Sequence, residues 1–187
     1  YSIAATAGQN PQRLTNRYAA DTINPMGATL YEKTMQRALR LLSYKARTIE
    51  EMRRRLLEKE WAEAEVVEQV ISRLGELNYL NDEDYANNFA SSRLALKPLG
   101  PTRLRIDLQR KRLPAATVDA AVSQAYDERP EEKMLAELIS KRVRLKGQPA
   151  DRDARNKLIA YLMRRGFSYD LVMRKVREMG SIDETDA

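Results

Sequence analysis

The sequence predicts an all-α protein built from three tandem three-helix repeats stacked into an elongated, curved solenoid. Three features lead there: a charge-rich, turn-poor composition, helical spacing of apolar residues between capping signals, and a five-position apolar pattern that recurs three times. Charged residues make up 32% of the 187, whereas Gly and Pro number seven each. That balance suits helices with solvated faces and suits sheet proteins poorly.

Residues 1 to 30 show neither helical nor strand periodicity and are punctuated by Gly8, Pro11, Pro25 and Gly27, so they read as a disordered arm or an expression remnant. From Glu32 the pattern turns helical, with Met35, Ala38, Leu39 and Leu42 on one face. Thr48-Ile49-Glu50-Glu51 has the form of a capping box, which places the start of a second helix near Ile49. That helix carries Met52 and Leu56 and is expected to end near Glu60. A third carries Val66, Val70, Ile71 and Leu74 before a polar break at Asn78.

Read from Met52, the residues at offsets four, nine, fourteen and eighteen are Leu56, Trp61, Val66 and Val70. Leu104 is followed at the same offsets by Leu108, Leu113, Val118 and Val122, and Leu158 by Leu162, Phe167, Val172 and Val176. Fifteen large apolar residues at fifteen positions, in a chain 43% apolar, would arise by chance roughly a few times in a million for one register. Each copy is therefore one three-helix unit: residues 31–80, 81–129 and 130–179, with 180–187 a frayed acidic tail. Trp61, Leu113 and Phe167 share a tight turn, and Trp61 is expected to plug the core there. Asn81-Asp82-Glu83-Asp84 supplies a cap and acidic first turn for the second copy, Pro101 suits a first helical position, and Asp151 or Asp153 caps the helix of Leu158. Units this small bury too little surface alone, so they are expected to stack on their neighbours.

Composition narrows the chemistry. Neither cysteine nor histidine occurs, which removes disulfides, thiolate or imidazole metal sites, and every triad that needs a His base. No cofactor is expected. The longest apolar run, Leu158 to Met163, is far shorter than the roughly 20 residues of a membrane span. With no basic start leading into an apolar stretch, a cytoplasmic monomer is the expectation.

The formal charge of +6 favours an anionic partner, and it is unevenly placed. Residues 47–59 carry net +2 and 101–112 net +4, while 60–84 carry net −7. Three positions beyond Leu56, Leu108 and Leu162 stand Lys59, Lys111 and Arg165, which would share one side of a stacked solenoid and form a contact line for phosphates or acidic protein loops. The same cations near helix C-termini would also complement the helix dipole. Arg53, Arg54 and Arg55 span too many faces to serve a single structural role, and Arg103, Arg105, Arg110 and Arg112 read alike. Lys141, Arg142, Arg144 and Lys146 form another basic run, ordinarily a solvated face. Asp82, Glu83 and Asp84 diverge too much as helical neighbours to gather a hard cation. Tyr79 and Tyr85 read as packing residues.

Several motifs carry a family resemblance. Arg47-Thr48-Ile49-Glu50-Glu51-Met52-Arg53-Arg54-Arg55-Leu56, Asn78-Tyr79-Leu80-Asn81-Asp82-Glu83-Asp84-Tyr85-Ala86, Gly100-Pro101-x-Arg103-Leu104 with Leu108 and Lys111, and Leu162-x-x-Arg165-Gly166-Phe167 resemble, in order, stretches of the RecX family. The match covers about residues 32 to 179. It departs where the family often has Gly and this chain has Asn78, Glu60 and Arg112; a left-handed turn there would cost a non-Gly residue about 1 kcal/mol, least for Asn. The resemblance implies a non-enzymatic regulator of recombination and DNA repair that binds the RecA recombinase as a filament on single-stranded DNA and suppresses its ATP hydrolysis and strand exchange. Direct contact with single- or double-stranded DNA stays open. The basic helices alone also fit a stand-alone helical nucleic-acid-binding module, whereas an enzyme using only Asp, Glu or Lys has no constellation behind it.

Overall fold

The computed structural model describes residues 29–181, among which there are nine helices and no strand. In chain order they are α1 (Leu30–Tyr44), α2 (Ile49–Leu57), α3 (Ala64–Glu76), α4 (Asp82–Leu96), α5 (Pro101–Gln109), α6 (Ala115–Glu128), α7 (Glu131–Lys146), α8 (Arg152–Arg164) and α9 (Tyr169–Ser181). The arm expected over residues 1–30 lies outside the described residues except at Thr29 and Leu30, as does the tail expected at 180–187 beyond Ser181. The chain divides into two compact units, one up to Tyr85 and one from Ala86 onward, with the boundary inside α4.

In the first unit α1 and α2 begin where side chains satisfy the orphan amides of a first turn, whereas α3 starts after Glu63 without a side-chain cap. The helix expected from Glu32 starts at Leu30, because Thr29 and Glu32 form a reciprocal capping box: Thr29 Oγ1 accepts from the Glu32 amide at 3.3 Å and Glu32 Oε2 from the Thr29 amide at 2.7 Å. Thr48 caps α2 as its motif requires, accepting from the Glu51 amide at 3.1 Å. A second acceptor arrives from far along the chain: Asp82 Oδ1 takes the Ile49 amide at 2.9 Å, tying the start of α4 to that of α2. α1 packs on α3 and α2, and α2 on α3. Met52, Leu56, Val67, Val70 and Leu74 are fully buried between them, and each such side chain contributes about 1.5–3 kcal/mol of transfer free energy.

Two core expectations fail in this copy. Trp61 is only half-buried, its ring lying under Lys33 Nζ at 4.4 Å, and Val66 is half-buried while Val67 takes the core position. The cause is the turn. Helix α2 stops at Leu57, short of Glu60, and α3 begins twelve residues after Met52, whereas α6 and α9 begin eleven after Leu104 and Leu158. Arg112 and Gly166, each immediately before the turn residue of copies two and three, adopt left-handed φ of 57° and 82°. Glu60 is not among the described residues with positive φ. Without that left-handed step the first copy uses one more residue to reverse direction, and every position on its third helix slips by one.

In the second unit α5 packs on α6, α8 on α9, and α7 on α9. Leu104, Leu108, Leu135, Leu162 and Val172 are fully buried, with Leu113, Val118, Val122, Leu158, Phe167 and Val176 also in the core. Asn81 Oδ1 accepts from the Glu83 and Asp84 amides and so caps α4. Pro101 opens α5 after Gly100, and Asp151, rather than Asp153, caps α8 through the Ala154 amide at 2.6 Å. The second and third repeats meet backbone to backbone. The Gly100 amide donates to Arg165 O at 2.9 Å and the Thr102 amide to Gly166 O at 3.2 Å. A Cβ on Gly100 would stand 2.1 Å from the Gly166 carbonyl, and one on Gly166 2.4 Å from the Arg103 nitrogen. Tyr126 adds a part-buried tie, donating its hydroxyl to Leu99 O at 2.8 Å. Burial, with the Glu131 carboxylate adding to it, pushes that phenol's pKa above its ordinary value.

Leu108→Ala is expected to cost about 2–5 kcal/mol in chemical denaturation, and Val67→Ala to cost clearly more than Val66→Ala; the reverse order would refute the one-residue slip. Arg112→Gly, which relieves left-handed strain at an exposed position, should raise stability by about 1 kcal/mol in the same assay.

Candidate partner-binding surface

The cations singled out in the sequence occupy quite different surroundings. On α2, Arg53 bridges Glu50 at 2.7 Å and Glu68 of α3 at 2.5 Å. These bonds raise the Arg53 pKa and hold the Glu68 carboxyl below its usual range, with the Arg53 bond the largest cause for Glu68 and Glu68 the largest for Arg53. Both groups are substantially exposed, so solvent screening limits the pair to about 0–1 kcal/mol. A depressed carboxylate gives stability that is present above its unfolded pKa and lost as pH falls through the folded one. Arg55 pairs with Glu58 at 3.1 Å. Arg54 and Lys59 are exposed and form no ion pair among the described residues.

The corresponding second helix of the next repeat, α5, is wired around one carboxylate. Asp107 is 7% exposed and is approached by Arg93 from α4 at 3.0 Å, by Arg103 at 3.3 Å and by Arg110 at 4.0 Å. A buried carboxylate left alone would cost several kcal/mol, so this position requires cations around it. Arg105 reaches Asp119 of α6 at 3.0 Å, and Arg112 is exposed at its left-handed turn.

The three cations that share a repeat position do not form an equivalent stripe. Lys59 is exposed; Lys111 is half-buried, with Nζ over the Phe89 ring at 5.4 Å. Arg165 is half-buried and engaged within its unit, donating to Pro98 O at 3.3 Å and to the Tyr161 hydroxyl at 3.1 Å. It thereby supports the seam between the second and third repeats. Arg142 from α7 stacks on the same Tyr161 ring at 4.3 Å, a contact that residue spacing alone does not reveal. Arg93, Asp107 and Tyr161 were not singled out in the sequence, because each acts through a partner on another helix.

Lys133, Glu137, Lys141 and Arg144 line an open hollow along α7. Glu132 gathers Lys175 at 2.7 Å and Arg174 at 3.5 Å from α9, and their attraction lowers the Glu132 pKa and raises that of Lys175. Tyr79 and Tyr85 are half-buried, and Asp82 serves as the Ile49 cap described above. Among the described residues no group of His, Cys, Asp or Glu is placed to hold a metal, and no helix is long and apolar enough to cross a membrane.

Three-helix domains arranged in tandem define a helical-repeat protein. Three family models match in chain order: "RecX, first three-helix domain" over residues 35–74, "RecX, second three-helix domain" over 81–122 and "RecX, third three-helix domain" over 130–176. The chain belongs to the RecX family. It is 31% identical to "Regulatory protein RecX" of Prosthecochloris aestuarii over 79% of this chain and 93% of that protein, and 30% identical to that of Amycolatopsis mediterranei over 81% and 87%. It is 32% identical to the Lactococcus lactis protein of the same name over 72% of this chain and spans about half of that relative's length. A crystal structure of RecX from Lactobacillus salivarius shares the fold, with a TM-score of 0.72 at 24% identity, covering 81% of this chain and 97% of that one.

Arg165→Glu is expected to lower the thermal unfolding midpoint by several degrees, since it removes a guanidinium bonded inside the repeat seam, while Lys59→Glu should leave it within about one degree. Equal midpoints would show that Arg165 is a surface cation like Lys59.

Proposed function

We propose that this chain regulates the RecA recombinase by binding its filament on single-stranded DNA, inhibiting ATP hydrolysis and strand exchange and so modulating recombination and DNA repair. The observation that carries this reading is the ordered match of all three RecX domains, with "Regulatory protein RecX" as the name of its relatives. Many weak contacts distributed over repeats sum through avidity, which suits a repetitive partner such as a filament. The chain acts as a cytoplasmic monomer, by binding and not by catalysis. Its basic residues divide the contacts: Arg54 and Lys59 on the first unit meet acidic protein surface, and the α5 arginines on the second meet phosphate.

A second reading, a stand-alone nucleic-acid-binding module, is favoured by the net +4 of residues 101–112. One titration separates the two. Added to RecA and single-stranded DNA at fixed salt, the protein is expected to inhibit ATP hydrolysis, and the inhibition should persist when free DNA is supplied in excess. Inhibition that vanishes with excess DNA would mean sequestration of DNA and would favour the second reading; no inhibition at all would end the first.

A further inference from the structure

Five guanidiniums in the second unit are linked contact by contact across the seam between the second and third repeats. Arg142 stacks on Tyr161 at 4.3 Å, and Arg165 donates to the Tyr161 hydroxyl. The Arg165 carbonyl accepts from the Gly100 amide, and the backbone of the next residue, Gly166, lies against Arg103. Arg103 then shares Asp107 with Arg93 and Arg110. Among the described residues Asp107 is the one carboxylate within ion-pair distance of these five, leaving the group with net charge +4.

An ion-pair network built for stability alone would balance its charges, and this one does not. Each guanidinium carries five N–H donors, and a carboxylate offers about four acceptor positions. Arg93 turns Nε and Nη2 to the same Asp107 oxygen, both at 3.0 Å, which leaves its remaining edge for another acceptor. Its side chain is 37% exposed, that of Arg103 38% and that of Arg110 67%, so the unused donors reach solvent while the inner ones are held. Side chains already fixed by a buried anchor lose less entropy on binding than free lysines, and a guanidinium fork matches a phosphate's oxygens.

We propose that Arg93, Arg103, Arg110, Arg142 and Arg165 form a phosphodiester-binding track for a single nucleic-acid strand, with Asp107 as the positioning residue that aims three of them. The track lies on the second and third repeats and excludes the exposed cations of α2. This rests on nucleic acid being part of the target in the reading above and names the groups that meet it.

The test uses the full chain and a fluorescein-labelled oligothymidylate, followed by anisotropy across a salt series, without recombinase. Two double variants each remove two positive charges: Arg93→Gln with Arg110→Gln on the track, and Arg54→Gln with Lys59→Gln off it. The track pair is expected to weaken binding about tenfold and to reduce the slope of log affinity against log salt by about 1.4, as for two lost single-strand phosphate contacts. The control pair should change affinity less than about twofold and leave the slope unchanged. Should the track pair fail to fold, Arg110→Gln alone decides: its 4.0 Å contact with Asp107 is the longest of the three, and it should still weaken binding and lower the slope by about 0.7. Equal losses in both pairs, an unchanged slope for Arg110→Gln, or no oligonucleotide binding by the wild-type chain would overturn the track. Polyglutamate that displaces the strand as well as unlabelled oligothymidylate at equal charge would also overturn it, as a surface selective only for negative charge. RecA inhibition by the wild-type chain is measured separately, so the regulator reading can stand when the track falls.

Discussion

The second unit depends on a place where two backbones come too close for any side chain. Gly100 and Gly166 lie in the seam between the second and third repeats, and two amide-to-carbonyl bonds, from Gly100 to Arg165 and from Thr102 to Gly166, cross it. Because the contact is made by main chain, its geometry does not vary with rotamer, and the surrounding arginines inherit a fixed spacing. Gly166 serves twice: its left-handed φ reverses the chain between α8 and α9, and its missing Cβ admits the start of α5. One residue thus joins the local turn to the packing of two repeats.

Much of this architecture was legible in sequence because it rests on periodicities that burial enforces. The fifteen-position ruler found the core: thirteen of those residues are buried, and the two that are not, Trp61 and Val66, belong to one copy with one altered turn. The ruler failed there because offset counting assumes equal turns, and turn length depends on whether a residue can adopt positive φ. Arg112 adopts it despite its Cβ. Glu60 stands at the same step of the pattern, and nothing in residue type alone separates the two. Helix α1 starts two residues before Glu32, where the apolar pattern begins, because its start is set by the polar capping box of Thr29 and Glu32 and not by burial.

The charged surface was less legible, for a different physical reason. A burial pattern is a property of one helix and its period, whereas a cation's role depends on which acid or ring a neighbouring helix brings to it. Equal spacing placed Lys59, Lys111 and Arg165 in one stripe, yet one is solvated, one lies over Phe89 and one is bonded into the seam. Asp107, the one acid among residues 101–112, is the buried anchor of that segment. Long-range partners such as Arg93 with Asp107, or Asp82 with the Ile49 amide, leave no local signature because the residues that meet are distant in sequence.

Divergence at matching positions shows how copied units come to differ in role. Three residues beyond the first ruler position stand Arg55, Asp107 and Tyr161: an exposed cation pairing with Glu58, a buried anion gathering arginines, and a ring holding two guanidiniums. The helical frame tolerates all three because its energy comes from the apolar positions, which all three copies retain with one slip. Surface positions are then free to follow what each copy touches. In the second and third copies that neighbour is another repeat, and polar groups at a seam must be satisfied where water is partly excluded. Arginine satisfies them with some donors and still faces solvent with the rest. A cationic surface therefore accumulates readily where repeats join, as the five guanidiniums around Asp107 and Tyr161 do at the seam of the second and third.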